Sequence, residues 1–446
     1  MTEPTDRAHA EQLDADDPLA PFRNRFEIPD DTVVYLDGNS LGRLPSATPG
    51  RVAEVLHEQW GDRLIRSWSE GWMDLPVQVG ERLGVALLGA RPGETLVCDN
   101  VTVNLVKALH AACDLRPDRS TIVAHRGEFP TDRYVAEAVA RQRGGSVRWL
   151  GPLDPNATQV DPVTAGEVAG VLHDDVAVVL LSVVDYRSAA IADVDSITRA
   201  VHGAGAVMIW DCSHAAGSIP LDLPGSDSDL AVGCSYKYLN GGPGAPAWIW
   251  ANSQHHEALR NPVPGWMGHA DVFAMGPDYE AAAGIRRFMT GTPSAVALAA
   301  VDCGVELLAE AGMAAVRAKG IALTSYAVDL ADAWLTAYGV SLASPREAAR
   351  RGAHVTLRHP DAEALVQALS DGGVIPDFRH PDGIRLGLAP LTTRFTDVFD
   401  GLASLRTLLD ALPSGRTAHP HGLAGRPMPR LTRTRGAIGR AGTEDR

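Results

Sequence analysis

At 446 residues the chain exceeds what one small core organises, so two domains sharing a site are expected. An apolar fraction of 45% with scattered charge is that of an ordinary soluble globular protein. A net charge of -15 argues against nucleic acid and anionic membrane as partners, because both need a basic face.

Five cysteines (Cys98, Cys113, Cys212, Cys234, Cys303) lie far apart with no CxxC pair. That pattern fits a reducing compartment, without disulfides or a metal site. No apolar run approaches the ~20 residues of a membrane span. The first twenty residues are acidic and polar, unlike a signal peptide, so the cytoplasm is the default.

Residues 1–30 read as a flexible or helical leader. Residues 31–75 read as an amino-terminal segment: a short strand at 33–36 breaks into the turn DGNSLG, which holds Asn39. Residues 60–68 are rich in tryptophan and arginine and end on Trp68; such aromatics more often pack on a core than touch a ligand. A large domain is expected over 76–305. There a strand at 95–98 leads through the cap Asp99-Asn100 into a helix carrying Val103, Leu105, Leu109 and Ala112. The free N–H groups at such a helix start, where Val101 and Thr102 sit, favour an anion. A second strand, 120–124, precedes Phe129-Pro130-Thr131-Asp132, in which Thr131 or Asp132 is expected to cap the next helix. A third, 176–182, ends on Ser182. Strands alternating with helices from about 95 to 250 imply right-handed βαβ units and a mostly parallel sheet.

The stretch from 206 to 250 organises the rest. The run AVMIW stops at Asp211, and a second run at 229–233 leads into Cys234-Ser235-Tyr236-Lys237. The turn NGGPG and a third run, 247–250, follow. In an open α/β sheet, ligands bind outside the carboxyl ends of the strands. An acid and a lysine brought to that edge suit pyridoxal phosphate, which needs a lysine for its imine and a carboxylate for its ring nitrogen. Lys237 and Asp211 are assigned those roles, with His214 and Tyr236 beside them. A strand-ending Asp is otherwise a helix cap, and a lysine before a glycine-rich loop is otherwise solvated.

Beyond it, Gly265-Trp266-Met267-Gly268-His269 and the loop holding Thr292 are irregular by composition. A helical run from 294 to about 335 opens a smaller α/β unit over 306–412, with strands at 354–357 and 383–388 and a helix at 361–369. Arg385, set among apolar residues, offers a planar fork matched to a carboxylate, or else a buried ion pair. Residues 413–446 lose periodicity and read as a disordered tail.

SYKYLNGGPG at 235–244, with WDCSHAAG at 210–217, resembles the kynureninases, pyridoxal-phosphate enzymes of the aspartate-aminotransferase fold (fold type I). Class V relatives such as cysteine desulfurases share the Asp and Lys, but their lysine usually follows a His where this chain has Tyr236. The likeness covers roughly Tyr35 to Leu409. It implies phosphate contacts at Val101 and Thr102, stacking on the ring by Phe129, and cofactor support from Pro130, Thr131, Asp132 and Ser182. It places Asn39 and Trp68 beside the substrate and gives Arg385 its α-carboxylate. It also implies a homodimer in which Trp266 and Thr292 reach the neighbouring subunit's site. Relatives preferring 3-hydroxykynurenine tend to carry Asn where this chain has Thr292, which leans toward unsubstituted kynurenine. Relatives often carry Thr-Gly after the aromatic where this chain runs Tyr186-Arg187-Ser188, so Arg187 and Ser188 receive no role.

The implied reaction is hydrolytic cleavage of the kynurenine Cβ–Cγ bond to anthranilate and alanine, in tryptophan breakdown or a biosynthetic branch of it. Lys237 would remove the α-proton; Tyr236 and His214 both remain candidates for the other proton transfers. A desulfurase needs a nucleophilic cysteine on a late loop, and none follows Cys303. A non-catalytic cofactor-binding regulator would carry a basic helix-turn-helix domain, for which the acidic start leaves no room.

Overall fold

The structure, a computed structural model, describes residues 3–152 and 160–412; the expected tail lies outside the described residues. Helix α1 spans Arg7–Ala15, followed by strand β1 (Val34–Tyr35) and helices α2 (Thr48–Glu54) and α3 (Leu75–Leu87). The large domain then alternates. Strand β2 (Thr95–Val97), helix α4 (Val101–Asp114), β3 (Thr121–His125), α5 (Pro130–Gln142) and β4 (Ser146–Leu150) come first. After them come α6 (Ala165–Ala169), β5 (Val176–Ser182), α7 (Val194–Gly203), β6 (Val207–Asp211), β7 (Leu230–Gly233) and β8 (Trp248–Ala251).

These strands form one seven-stranded sheet among the described residues, in the order β2-β8-β7-β6-β5-β3-β4. Only β8 runs against its neighbours, so the sheet is mostly parallel, as expected. Parallel strands are covered on both faces and read as continuous apolar runs, and the six residues from Val176 to Leu181 are all buried. Alternate side chains go to opposite layers. Val179, Leu181, Met208 and Trp210 pack with α3, α7 and helix α8 (Ala295–Ala311), while Val178, Leu180, Val207 and Ile209 pack with α4 and α5. The register sets Ser182 beside Asp211 at the carboxyl edge.

The helical run expected from 294 to 335 is two helices. Gly312, at φ 75°, separates α8 from α9 (Met313–Trp334), since a left-handed residue ends a helix without strain only at glycine. The smaller unit continues with β9 (Ser341–Leu342), β10 (His354–Arg358), α10 (Ala362–Asp371), β11 (Val374–Ile375), β12 (Asp377–Arg379), β13 (Gly383–Gly387) and α11 (Phe395–Asp410). Its antiparallel sheet has the order β12-β13-β10-β9, and β1 pairs in parallel with β11.

The segment 3–30, expected as a flexible or helical leader, contains helix α1, which packs on this unit. The Asp14 carboxylate accepts the backbone N–H groups of Phe395 and Thr396 at 2.6 and 3.1 Å, capping α11 from another part of the chain. Lys319 and Asp17 form a buried ion pair at 2.6 Å. Residues 55–72 wind in irregular helical turns and leave Trp60, Leu64 and Ile65 exposed.

Candidate active site

Lys237 lies in the loop after β7, and tight turns fix it. Asn240, at φ 54°, donates its N–H to the Lys237 carbonyl at 2.9 Å, and Gly241 N–H reaches Ser235 O at 2.8 Å. The DGNSLG turn supports this loop from outside: Gly42 N–H donates to Tyr236 O at 2.8 Å. A Cβ on Gly42 would sit 2.3 Å from the Lys237 carbonyl oxygen, so only glycine fits there.

The lysine faces a cavity of about 140 Å³ lined by Asn100, Val101, Thr102, Phe129, Thr131, Ser182, Asp211, His214 and Tyr236, among others. Nine residues expected from the sequence thus share one space, counting Lys237 and leaving out Asn100. Lys237 Nζ lies 3.5 Å from His214 Nδ1, and 5.9 and 5.8 Å from the ring centroids of Phe129 and Tyr236. Phe129 is 40% exposed, meets Tyr186 edge-on at 5.3 Å, and presents its ring to the cavity.

Helix α4 opens this pocket with the Asn100 side chain accepting from Val103 N–H. The N–H groups of Val101 and Thr102 are left for an anion. Helix α5 starts two residues earlier than a Thr131 cap would give, and three earlier than an Asp132 cap. Pro130 takes the first helical position, where its missing N–H costs nothing, and Phe129 precedes it.

Behind the cavity stands a wall of carboxylates. Asp132 is fully buried, and neither of its carboxylate oxygens has a hydrogen-bond partner. Burial pushes its proton affinity well above the usual carboxylate range, and Asp211 and Glu128 add to the push. Glu128, also pushed up by burial, accepts Ser182 N–H at 2.9 Å and the Ser182 hydroxyl. Asp211 accepts Ser213 N–H at 2.6 Å. The imidazole of His214 is held neutral, first by burial and then by Lys237 and Arg385, and its Nε2 has no partner. Burial pushes the Tyr236 hydroxyl up, so it stays protonated at neutral pH.

Orphaned buried carboxylate oxygens are costly. A protonated pyridine nitrogen beside Asp211 and Asp132, a phosphate on the start of α4, a ring against Phe129 and a carbonyl carbon at Lys237 would satisfy this arrangement. The residues present fit pyridoxal phosphate. No group of three or more His, Cys, Asp or Glu among the described residues could hold a metal.

Other expected residues lie elsewhere. Trp68 stacks edge-on with Trp72 at 5.2 Å, away from this cavity. Thr292 lines a neighbouring cavity of about 290 Å³ together with Asp99, and Trp266 is 41% exposed. Asn39 and Arg385 sit behind Tyr186 in a separate cluster, where Arg385 has protein partners at every nitrogen. Residues the sequence reading passed over include Asn100, Val184 and Ser213 on the cavity wall and Glu128 behind it. Glu128 stands directly before FPTD, and a charge in that place was the available signal.

Solved structures of this fold include the apo cysteine desulfurase of Thermococcus onnurineus NA1. It matches with a TM-score of 0.72 at 16% identity, covering 90% of this chain and 98% of that one. The cystine C-S lyase C-DES, in a variant with glycine linked to its PLP cofactor, matches with a TM-score of 0.75 at 18% identity, covering 86% and 98%. Fold and lysine site together define a pyridoxal-phosphate enzyme of fold type I, with the class V arrangement of a large parallel-sheet domain and a smaller α/β domain. Residues 316–405 match the model of the kynureninase C-terminal domain. The chain is 42% identical over 405 residues to a kynureninase of Pseudomonas fluorescens, covering 89% of this chain and 94% of that protein. It is 41% identical over 411 residues to one from Burkholderia pseudomallei, covering 91% and 95%. The chain belongs to the kynureninase family.

Proposed function

We propose that this chain hydrolyses the Cβ–Cγ bond of L-kynurenine, giving anthranilate and L-alanine, with pyridoxal phosphate held in the lysine cavity. The observation that carries the reading is Lys237 Nζ, aimed into a cavity between the Phe129 ring and His214. When bound, the cofactor supplies a covalent hold on the substrate amine and a sink for the electrons left at Cα. Lys237 then removes the α-proton, for which its place on a rigid loop suits it. Asp211, backed by Asp132, keeps the ring nitrogen protonated. Val101 and Thr102 would bind the cofactor's phosphate through their N–H groups, and Phe129 would hold the ring plane. Tyr236, protonated at neutral pH, is the donor available on the lysine side, whereas neutral His214 positions the lysine.

Arg385 binds the substrate α-carboxylate from the smaller unit, with Asn39 beside it. The functional assembly is a homodimer, which supports roles for Trp266, Thr292 and Trp68 that a single chain does not fulfil. Thr292 favours unsubstituted kynurenine over 3-hydroxykynurenine. We assign the chain to the cytoplasm on its composition; no helix among the described residues is long and apolar enough to cross a membrane. The domain divisions at about 76, 305 and 412 are part of the same reading. A desulfurase activity is disfavoured, because burial pushes every one of the five thiols above its ordinary value and none is poised as a thiolate.

Purified protein given kynurenine should produce the blue fluorescence of anthranilate, faster than it turns over 3-hydroxykynurenine. Absence of both products overturns the reading. Sedimentation should give a dimer, and a monomer with full activity would remove the shared-site proposal.

A further inference from the structure

Arg385 has five N–H donors. With the Asn39 amide oriented to serve its neighbours, Nε–H donates to the Asn39 side-chain oxygen at 3.0 Å, and the Asn39 nitrogen donates to Asp37 Oδ1 at 3.2 Å. Nη1–H donates to Tyr186 O at 2.7 Å. Nη2 serves the Ser40 hydroxyl at 2.8 Å and the Asp377 carboxylate, its cross-strand neighbour in the β12–β13 pairing. One N–H on Nη1 is left over. The side chain is 1% exposed, so water cannot make up the difference.

The charges around it are already balanced. Arg385 and Arg379 face Asp377 and Asp37: Arg379 Nη2 lies 2.7 Å from Asp377 Oδ2, and Arg385 Nη2 lies 3.9 Å from Asp37 Oδ1. A third carboxylate brought to Arg385 leaves one uncompensated negative charge in a poorly hydrated cluster, which is costly unless a proton enters with it. The two acids are not equal candidates for that proton. Asp377 keeps Arg379 as a close second cation, whereas Asp37 has Arg385 and Arg379 at greater distance, with the Ser40 hydroxyl and the Asn39 amide nearer.

We propose that Asp37 is a proton-linked gate on substrate binding: Arg385 takes an α-carboxylate only when Asp37 carries a proton. The proposal rests on the reading above that Arg385 binds that carboxylate. Asp37 is placed for this by the strand pairing itself, its backbone bridging in parallel to Gly387 at the end of β13. Burial pushes its carboxyl up to about 6, with Asp377 adding and Ser40, Arg385 and Arg379 opposing. The other titratable groups facing it are Tyr35, two residues away with the Arg43 guanidinium over its ring at 5.0 Å, and Tyr238 from the lysine loop. Burial pushes both phenols up, so neither titrates near neutrality. A gate of this kind adds selectivity for an acid whose charge the cluster neutralises by taking up one proton, and makes affinity fall as pH rises.

The test uses the holoenzyme and 3-benzoylpropanoate, which keeps the carboxylate and γ-ketone of the substrate but lacks the amine and so cannot react with the cofactor. Its affinity, measured by calorimetry between about pH 5.5 and about pH 8, should fall about tenfold per pH unit above the Asp37 titration. Calorimetry in buffers of different ionisation enthalpy should show uptake of about one proton per ligand at the alkaline end. Asp37→Asn should flatten the pH dependence and remove the uptake. A wild-type affinity independent of pH, or no proton uptake, overturns the proposal even if Asp37→Asn does not fold; so does an Asp37→Asn protein that keeps the slope. If Arg385→Lys binds the ligand as tightly as wild type, the assignment of Arg385 has failed, whatever the slope.

Discussion

At the lysine cavity, buried polar atoms outnumber their partners; at Arg385, a buried cation has almost no hydrogen-bonding capacity to spare. Asp132, behind a space of about 140 Å³, holds two orphaned oxygens, and His214, on its wall, holds one orphaned nitrogen. Arg385 is matched by a carbonyl, a hydroxyl, an amide oxygen and a carboxylate. The contrast follows the residence of the guest. A group that stays through every turnover can be left to complete the cavity's hydrogen bonds, because the protein is rarely without it. A guest that comes and goes needs a host stable when empty, so the arginine is kept satisfied and exchanges one partner for another.

Replacing Lys237 tests the first half of that contrast and should have the largest effect. Lys237→Ala removes a general base worth roughly 10²–10⁴ in rate as well as the covalent hold. Borohydride treatment of the wild-type holoenzyme should fix the cofactor's mass on the peptide containing Lys237, and the variant should carry none. Label on another peptide would break the assignment.

Arg385→Lys tests the second half. Lysine keeps the charge but loses the fork, and hydrogen bonds to charged groups are worth on the order of 1.5–3 kcal/mol, so KM should rise about ten- to a hundredfold. Cofactor absorbance should not change. Equal loss of cofactor and activity would reduce Arg385 to a structural ion pair.

Asp229 sharpens the comparison as a charged site with no guest. It is 3% exposed and accepts His202 Nε2 at 2.8 Å, His255 Nε2 at 2.6 Å and Met208 N–H at 2.7 Å. Burial pushes its carboxyl up, but these partners outweigh burial and hold it at about 2. A carboxylate depressed in the folded state stabilises above its unfolded value and loses that contribution as pH falls from about 4 towards 2. Asp229→Asn should therefore cost about 2 kcal/mol at neutral pH in denaturant melts, and progressively less on acidification. Cofactor trapping at Lys237 should be unchanged.

The smallest effect is expected at Ala189, which sits at φ 64° after Ser188. A left-handed residue with a Cβ costs roughly 1–2 kcal/mol, partly offset by the greater freedom of glycine when unfolded. Ala189→Gly should raise stability by about 0.5–1 kcal/mol without altering kcat. A lower Tm would show that the Ala189 methyl contributes packing that outweighs the strain.

Much of the large domain is legible along the chain because each signal is local. A continuous apolar run makes a parallel strand, and an acid or lysine at its end lies at the sheet's carboxyl edge, so Asp211 and Lys237 could be placed together before any register was known. Signals that depend on register were not legible. Nothing in the sequence places Asp377 across from Arg385, or Asp37 beside Gly387, so the fork and the buried ion pair stay undivided along the chain, and the structure shows a filled fork. The docking of the first helix was hidden for another reason. It uses a carboxylate cap and an ion pair just past the helix beside the short apolar contact of Ala10 and Leu13, and an acidic segment resembles a solvated one. Trp68, Trp266 and Thr292 carry recognisable motifs, yet motif likeness alone does not say which chain's cavity a side chain serves.

The capping of α11 by Asp14 joins residues 381 positions apart, and β1 completes its pairing only with β11. A ribosome therefore releases nearly the whole polypeptide before the smaller unit can close. The large sheet, complete by β8, can form while synthesis continues, but β1 and α1 must wait for partners not yet made. Loop closure over such distances slows assembly, and unpaired edges invite association in the meantime. Newly made chains should thus acquire protease resistance in two stages, the lysine cavity's walls first and the carboxylate cluster around Arg385 last.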